Sequence, residues 1–413
     1  MRGRLAERTY YGWIVAGCCF VAAGVMFGMT YSFSVFFDPL LSSFPVRPAR
    51  ISLVYGLQTF VIFVGAAGLG GALDRVGPRR LLAAGAVFLA AGLVGASYSS
   101  SYAALLATYG VVTGLGMSAL YVAAYATVPL WFDRRRGAAT GLASAGLGAG
   151  LLVVAPTAAE LIARGGWRSA LRALAAGFLV VLAAATYLMA DRHGDVGADP
   201  VVEFPAGRSG AATGAGDWRA RLAAVGDRVR SVPFALVVAG WALIYATLYV
   251  LVNHVVPFAE RAGMRWAGVA TLTVVGVSTS AARLTVGPAS DRIGRVRIFV
   301  ACSAVMGAGL LALPFAREPV ALFAVAVCFG VGYGGNGALL SPLIADLFGT
   351  DQLGTLYGLA SVAFAVAGLA APPLATVGYG ALGSYRPVFL VTGALGLVGA
   401  VCIGAAGRLR GEL

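Results

Sequence analysis

The chain has 413 residues, of which 59% are hydrophobic and only 11% are charged, whereas an ordinary soluble domain is about one quarter charged. Long apolar stretches recur from one end of the chain to the other, which excludes a soluble globular protein and indicates a membrane protein with many spans. The formal net charge is +13, carried by Arg because the chain has no Lys. These Arg residues stand in short turns between apolar stretches, so the excess does not indicate nucleic-acid binding.

The apolar stretches have the length of membrane-spanning helices. The hydrocarbon core is about 30 Å thick and each helical residue adds about 1.5 Å, so a span needs roughly 20 residues. The sequence predicts an all-α membrane protein with twelve transmembrane helices. The predicted spans lie at about 11–37, 51–73, 81–99, 102–130, 138–161, 168–190, 233–258, 267–288, 297–316, 319–345, 354–378 and 386–406.

Two motifs recur with the same separation. A charged turn with Asp74-Arg75 follows the second span, and a similar turn with Asp291-Arg292 follows the eighth span, 217 residues further on. Gly141-Leu142-Ala143-Ser144 recurs as Gly358-Leu359-Ala360-Ser361 at the same offset. Two unrelated motifs at one offset indicate two parallel repeats of six helices. We therefore predict an N-terminal bundle at 1–190 and a C-terminal bundle at 233–413.

The segment 191–232 is the only long polar connection and is predicted to be a cytoplasmic linker between the two bundles. Its end has apolar side chains at helical spacing, which indicates a short amphipathic helix that either lies on the inner leaflet or packs against the bundle. Those apolar residues are Trp218, Leu222, Val225 and Val229. Arg is more frequent in the connections that face inside when the N-terminus is inside, which predicts two cytoplasmic termini.

Catalytic and metal-binding patterns are missing from the sequence. Its five Cys residues lie in apolar spans without the spacing of metal ligands, and are interpreted as small packing residues. No Ser-His-Asp, His-Glu-x-x-His or Walker-type pattern is present, which argues against an enzyme and against ATP-driven transport. We therefore expect no cofactor and no metal.

Several motifs together resemble one transporter family. Twelve spans, a six-plus-six repeat and the turn Gly-x-x-x-Asp-Arg-x-Gly-x-Arg-Arg after the second span resemble the major facilitator superfamily, over essentially the whole chain. Further motifs resemble its monocarboxylate transporter group and the prokaryotic relatives of that group, which include oxalate–formate exchangers. These motifs are Tyr10-Tyr11-Gly12-Trp13, Tyr31-Ser32-Phe33-Ser34-Val35-Phe36-Phe37, Trp131-Phe132-Asp133-Arg134-Arg135-Arg136-Gly137, Asn253-His254-Val255-Val256-Pro257-Phe258-Ala259 and Arg283-x-x-x-Gly287.

The resemblance implies the superfamily fold and a secondary transporter that moves small organic anions, with protons or in exchange for another anion. In the resemblance, Arg283 matches the arginine that holds the substrate carboxylate. Many animal members have an acid one turn before this arginine and a lysine at the position of Tyr31. Here Thr279 and Tyr31 occupy those positions, so the usual lysine–aspartate route for protons is missing.

Arg283 is unusual because it lies inside an apolar span. It stands eight residues before Asp291, which places it about 12 Å deeper than the inner boundary, and half of the core is about 15 Å. A guanidinium near the midplane costs several kcal/mol and therefore needs a purpose or a partner. A bidentate clamp for a carboxylate would satisfy it, and so would an interhelical contact with a carbonyl or an acid. The predicted spans contain no acid at mid-depth, which favours the anion.

Other polar residues of the predicted spans are weaker candidates. Tyr31, Tyr121, Tyr333 and Asn336 fall where they could hydrogen-bond a carboxylate or hydroxyl, although residues of this kind are more often packing residues in helices. His254 is the only His in a predicted span, and its ordinary pKa range suits proton uptake. The alternative for His254 is a structural role as a hydrogen-bonded His near the membrane interface.

The two charged turns are predicted to form a conformational latch. Their acids begin the inside turns at helix ends, where they can pair with Arg side chains and with the N-termini of neighbouring helices. The alternative is ordinary charge on an inside loop. The predicted latch residues are Asp74, Arg75, Arg79, Asp291, Arg292 and Arg295. Arg134, Arg135 and Arg136 are expected to meet anionic lipid headgroups or these acids.

The leading interpretation is a multi-pass plasma-membrane transporter of small monocarboxylates, working by symport or antiport. The second interpretation is an efflux transporter of a larger amphipathic compound. Such a transporter would require a wider apolar cavity, and its activity would not depend on Arg283. A membrane sensor on a transporter scaffold is the third. A sensor usually needs a sizeable cytoplasmic output region, and the 191–232 segment is short. The expected partners are the organic anion, protons as a candidate coupling ion, and membrane lipids.

Overall fold

The computed structural model describes residues 10–132, 135–191 and 225–412. Nearly all of these residues are helical, and no strand occurs among them. Eleven helices in this part of the chain are long and apolar enough to cross a membrane. The prediction of an all-α membrane protein is therefore confirmed.

The helices before the predicted linker include one very long element. A single helical turn, Tyr102–Leu105, and a π-helical segment, Leu106–Val112, lead into α5. The helices are α1 (Gly12–Tyr31), α2 (Phe33–Ser43), α3 (Pro48–Val76), α4 (Pro78–Ser97), α5 (Thr113–Trp131) and α6 (Arg136–Leu188).

The helices after the predicted linker are of ordinary length for membrane spans, except for one short element. A 3₁₀ turn, Leu313–Phe315, extends α9. The helices are α7 (Val232–Arg261), α8 (Arg265–Ile293), α9 (Arg295–Ala312), α10 (Pro319–Ala338), α11 (Leu340–Phe348), α12 (Leu353–Leu382) and α13 (Tyr385–Arg410).

The chain forms two compact units. Unit 1 comprises Met1–Gly214 together with Thr350–Leu359, and unit 2 comprises Ala215–Gly349 together with Ala360–Leu413. The first two turns of α12 therefore belong to unit 1, and the rest of that helix belongs to unit 2. Most of the predicted linker, including Trp218 and Leu222 of the predicted amphipathic helix, lies outside the described residues, whereas 225–229 are helical.

Two predicted spans are joined without a loop in α6. This helix has 53 residues, which is more than twice the length that one span needs. Gly166 lies within it at φ 74 and ψ 166, a conformation that is costly for any residue with a Cβ atom, so the helix is broken at this point. The predicted spans 138–161 and 168–190 are the two segments on either side of Gly166, and together with the other ten candidate helices they make twelve spans.

The predicted tenth span, 319–345, is not one continuous helix. It is divided into α10, which ends at Ala338, and α11, which begins at Leu340. Pro342 has no backbone N–H to donate to the carbonyl of Ala338, and its ring crowds that carbonyl. The first predicted span also continues after a turn at Ser32, as α2, to Ser43.

In unit 1, α1 packs against α6 with small residues at the crossing. A Cβ atom added to Gly28 would lie 2.8 Å from the carbonyl oxygen of Gly150, and one added to Gly150 would meet the carbonyl oxygen of Gly24. Only glycine permits backbones to approach this closely, and such crossings hold helices together in lipid. Gly146 and Gly150 of the predicted fifth span therefore have a packing role.

In unit 2, glycines also allow a close approach of two backbones where α7 and α13 cross. A Cβ atom on Gly240 would lie 2.9 Å from the carbonyl oxygen of Gly399, and one on Gly399 would lie 2.7 Å from the carbonyl oxygen of Gly240. Helix α13 also packs against α9, where Gly307 and Gly393 face each other in the same way. These crossings fix the framework on which α8 and α10 carry the candidate site.

Candidate functional site

Arg283 lies in α8, and its side chain is buried with an exposed fraction of 3%. Its guanidinium carbon lies 5.5 Å from the centre of the Tyr333 ring on α10, within the range of a cation–π interaction. One turn further along α10, a Cβ atom on Gly337 would lie 2.7 Å from Nη2 of Arg283. The Tyr333 ring and the missing side chain of Gly337 therefore make the space that the guanidinium occupies.

The close approach of α8 and α10 brings Arg283 to Tyr333. A Cβ atom on Gly334 would meet the carbonyl oxygen of Thr279, and one on Gly330 would lie 2.8 Å from the carbonyl oxygen of Val275. The Thr279 hydroxyl donates a hydrogen bond to the carbonyl oxygen of Gly330, at 3.2 Å. Thr279 thus joins the two helices.

Asn336 is fully buried on α10, and its amide is bound by protein groups. The Tyr245 hydroxyl donates to Asn336 Oδ1 at 3.1 Å, and Asn336 Nδ2 donates to Ser303 Oγ at 3.2 Å. Nδ2 also lies 3.0 Å from the sulfur of Met306. Asn336 therefore links α7, α9 and α10, and any role as a substrate ligand stays a prediction.

Tyr121 and Tyr31 belong to unit 1, where aromatic rings form a continuous row. Tyr121 is buried, its ring is stacked on that of Tyr357 at 5.4 Å, and the Tyr357 hydroxyl donates to the Tyr121 hydroxyl at 2.8 Å. Tyr125 stacks on Tyr357 at 6.3 Å and meets the edge of Phe27 at 6.2 Å. Tyr31, which is 36% exposed, stacks on Phe27 and ends the row.

His254 lies near the end of α7, three residues before Pro257, and is buried. Its Nε2 atom lies 3.3 Å from the carbonyl oxygen of Pro372 on α12. Because a carbonyl only accepts hydrogen bonds, Nε2 carries the hydrogen. The ring also lies 5.6 Å from the Tyr385 ring of α13, so His254 joins three helices within unit 2.

We call the segment from Gly70 to Arg80 the first charged turn. Asp74 lies in the last turn of α3 and accepts hydrogen bonds from the first turn of α12. Its carboxylate receives the backbone N–H of Gly354 at 3.1 Å, the backbone N–H of Thr355 at 3.0 Å and the Thr355 hydroxyl at 2.6 Å. The first N–H groups of a helix have no partner within the helix, so a carboxylate is a strong cap for them. Asp74 therefore caps α12, although 280 residues separate it from Gly354.

The backbone of the first charged turn is fixed by Asp191. Gly77 adopts a φ of +85, and a Cβ atom there would lie 2.7 Å from Asp191 Oδ1. The same oxygen accepts a hydrogen bond from the backbone N–H of Arg79 at 2.9 Å. Arg75 is exposed and Arg79 is half-buried, so their side chains stand at the surface of unit 1.

We call the segment from Gly287 to Arg297 the second charged turn. Its acid, Asp291, forms an ion pair with Arg295 at 2.9 Å. Arg295 also bonds both carboxylate oxygens of Asp346 on α11, at 3.1 and 3.2 Å. The three side chains are between 10% and 14% exposed, so a single guanidinium bridges two largely buried carboxylates. Arg292 is exposed.

Sequence reasoning missed three residues of these sites. Tyr357 directly precedes the second copy of the Gly-Leu-Ala-Ser motif, where the first copy has Thr140. This change from Thr to Tyr between the two repeats could have indicated a site residue. Gly337 was one of a run of glycines in α10, and its spacing from Tyr333 was the signal there. Asp346 gave no signal, because nothing in its sequence neighbourhood relates it to the second charged turn.

Among the residues that the structure describes, no group of three or more His, Cys, Asp or Glu side chains is placed to hold a metal ion. Of the predicted Arg134–Arg136 group, Arg134 lies outside the described residues. Arg136 is buried, and its Nε donates to the carbonyl oxygen of Phe132 at 3.0 Å.

Comparison with known proteins agrees with this architecture. The family model of the Major Facilitator Superfamily matches residues 19–282 and 266–410. The chain is 27% identical over 393 residues to monocarboxylate transporter 13 of Bos taurus, covering 94% of this chain and 88% of that relative. It is 31% identical over 394 residues to monocarboxylate transporter 3 of Rattus norvegicus, covering 93% of this chain and 77% of that relative.

Solved structures share the fold. The transporter FucP in the outward conformation superimposes with a TM-score of 0.72 at 14% identity, covering 96% of this chain and 99% of that chain. The proton:xylose symporter XylE superimposes with a TM-score of 0.69 at 16% identity, covering 95% of this chain and 94% of that chain. The chain belongs to the Major Facilitator Superfamily and is a multi-pass membrane transporter, not an enzyme.

Proposed function

We propose that this transporter is a secondary active carrier of small monocarboxylate anions, of the size of lactate or pyruvate. The observation that carries the proposal is the buried guanidinium of Arg283, held between the Tyr333 ring and Gly337. The relatives named as monocarboxylate transporters cover more than nine tenths of the chain, which supports the same class of substrate.

A buried guanidinium selects for an anion of one charge. Its planar donors match a carboxylate in a bidentate arrangement, and the pairing offsets the cost of holding a cation in an apolar span. A dicarboxylate would bring a second charge into the same low-dielectric region, and an unpaired buried charge costs several kcal/mol. The sequence offers no Lys and no other Arg at mid-span to balance it. Tyr333 and Tyr121 are the proposed hydrogen-bond donors to the anion, with Tyr31 and Asn336 as weaker candidates.

The transport cycle is proposed to be alternating access. The first charged turn is the proposed latch for one of its states, with Arg75 and Arg79 assisting Asp74. A latch role of Asp291, Arg292 and Arg295 in the second charged turn stays a prediction, because Arg295 pairs there with Asp291 and Asp346. His254 is the proposed proton-coupling residue, since its ordinary pKa lies near neutrality and it joins three helices. Exchange for a second anion is the other proposed mode of coupling. We further propose a plasma-membrane location with both termini in the cytoplasm.

The test is uptake into proteoliposomes of radiolabelled lactate, pyruvate, acetate, formate and oxalate, with and without a pH gradient. We expect uptake of monocarboxylates, competed by unlabelled monocarboxylates more strongly than by oxalate or succinate. Arg283→Gln should reduce uptake to the level of empty vesicles, and so should Arg283→Lys, because an ammonium group cannot reproduce the two-pronged geometry. Arg164→Gln, at an exposed ion pair with Glu160, is the matched control and should transport normally. Full uptake by Arg283→Gln, or stronger competition by the dianions, would refute the proposal.

A further inference from the structure

The buried hydroxyl groups of Tyr121 and Tyr357 form a pair in unit 1. Tyr357 has no exposed surface and Tyr121 is 2% exposed, so both phenols are shielded from water. The hydroxyl of Tyr357 donates to that of Tyr121 at 2.8 Å, and the two rings stack at an angle of 24°. A hydrogen bond in such surroundings is stronger than in water, and it polarises the groups that it joins.

Tyr357 is held in place by the start of α12. Gly354, one turn earlier, donates its N–H to Asp74. Gly358, the next residue, lies so close to α3 that an added Cβ atom would meet the carbonyl oxygen of Ala66. The hydroxyl of Tyr357 is therefore presented to Tyr121 by a backbone that is fixed on both sides.

The polarity of this pair suits an anion. A phenol has one hydrogen and can both donate and accept, whereas an ionised carboxylate only accepts hydrogen bonds. If Tyr121 donates to a carboxylate, its own oxygen must receive any further hydrogen bond. The Tyr357 hydroxyl can supply that hydrogen bond, because it donates to the Tyr121 oxygen.

We propose that Tyr357 is a positioning residue for the transported carboxylate. It does not bind the anion itself. When the Tyr121 hydroxyl donates to a carboxylate, the Tyr357 hydroxyl donates to the Tyr121 oxygen from 2.8 Å and strengthens that bond. This inference rests on the proposed function, and it adds a residue that selects for an acceptor-only ligand. A neutral analogue that can itself donate a hydrogen to Tyr121 gains less from this arrangement.

The test is equilibrium binding of radiolabelled pyruvate to the purified full-length transporter and its variants. Tyr357→Phe removes the hydroxyl and keeps the stacked ring, and we expect it to raise the Kd about three- to tenfold, the usual worth of one hydrogen bond. Tyr121→Phe should raise the Kd by at least as much. In the double variant, the loss should equal that of Tyr121→Phe alone, because Tyr357 acts only through the Tyr121 hydroxyl.

Tyr109→Phe is the matched control. Tyr109 is also fully buried in unit 1, and its hydroxyl has no hydrogen-bond partner among the described residues. The Kd of the Tyr109→Phe variant for pyruvate should equal that of the parent. A general disturbance of packing would add to the effect of Tyr121→Phe in the double variant, whereas a positioning effect would not.

The outcomes separate this inference from the proposed function. Pyruvate binding by the parent, and its loss in Arg283→Gln, test the proposed function, and if the parent binds no monocarboxylate both ideas are wrong. When those two results are positive, an unchanged Kd in Tyr357→Phe, a lowered Kd, or additive losses in the double variant overturn the role of Tyr357 alone.

Discussion

The acid of the first charged turn and the acid of the second charged turn stand at equivalent positions of the two repeats, yet the partners described above differ. Asp74 accepts hydrogen bonds from the start of α12, which lies 280 residues away in the sequence. Asp291 is paired with Arg295, four residues further on, and Arg295 also binds Asp346. One acid thus caps a helix that is distant in sequence, within unit 1, while the other belongs to a network of ion pairs within unit 2.

A single difference in sequence accounts for the ion pair. Arg295 in the second charged turn corresponds to Pro78 in the first, since the two positions are separated by the repeat offset. Proline at this position begins α4 and offers no cation. The first charged turn therefore cannot build the same network, and its carboxylate is available for the N–H groups of α12.

The difference teaches that a duplicated motif can carry two physical roles. A cap between distant elements is lost whenever those elements separate, so it responds to conformational change. An ion pair between residues four apart on the chain persists through such a change, so it contributes to stability in every state. We therefore expect changes at Asp74 to affect transport and changes at Arg295 to affect stability.

Among changes in the two charged turns, the largest effect on transport is expected from Asp74→Ala. It removes the acceptor of three hydrogen bonds from the first turn of α12, two of them from backbone N–H groups. Because Asp74 is exposed, solvent screens these hydrogen bonds, and we expect the loss of all three to lower the maximal uptake rate about tenfold. The Kd for pyruvate should rise by no more than in Tyr357→Phe, because Asp74 lies at a helix end and reaches the pair of tyrosines only through the start of α12.

The control for this prediction is Asp38→Asn, at an exposed acid of α2. It should transport at the parent rate. If Asp74→Ala transports normally, or if it loses binding and transport to the same extent, Asp74 does not act as a conformational latch and the contrast with the second charged turn disappears.

A moderate effect is expected from Arg295→Gln, and it should be seen in stability. The change leaves two largely buried carboxylates without the guanidinium that bridges them. Groups of like charge repel, and a buried acid without its partner is destabilising by about 1–3 kcal/mol. We expect a lower Tm of the purified protein in detergent.

A second substitution distinguishes charge from packing. Adding Asp346→Asn to Arg295→Gln removes one of the two negative charges and should restore part of the lost Tm. Arg164→Gln, at an ion pair whose side chains are 76% and 60% exposed, should leave the Tm nearly unchanged. If Arg295→Gln lowers uptake while the Tm stays the same, the second charged turn resembles the first in function.

The framework of this protein was predictable from sequence because lipid imposes a simple rule on length and polarity. The spans and the buried position of Arg283 followed from that rule, and the repeat followed from two motifs at one offset. The division of the tenth span at Pro342 was also within reach, since proline is visible in the sequence, but its consequence depends on whether neighbouring helices can accommodate a kink.

The partners of polar side chains were not predictable in the same way. Asn336 bonds to residues on two other helices, and Tyr357 reaches Tyr121 across 236 residues of sequence. Such contacts depend on the rotation of each helix about its axis, which an almost uniformly apolar sequence does not reveal. Only small residues indicate which helix faces approach each other closely, as where Gly337 leaves room for the Arg283 side chain.

The smallest effect, and the sharpest test of the cap at Asp74, is expected from Thr355→Val. Valine keeps the shape of threonine but removes the hydroxyl that donates to Asp74 at 2.6 Å, while the two backbone N–H donors remain. One hydrogen bond of three is lost, so uptake should fall only about two- to fivefold, well short of the loss in Asp74→Ala. In the Asp74→Ala background, the same substitution should have no effect, because the acceptor is already gone. An additional loss of uptake in that double variant would mean that the Thr355 hydroxyl acts through another group, and that the backbone N–H groups of α12 alone form the cap.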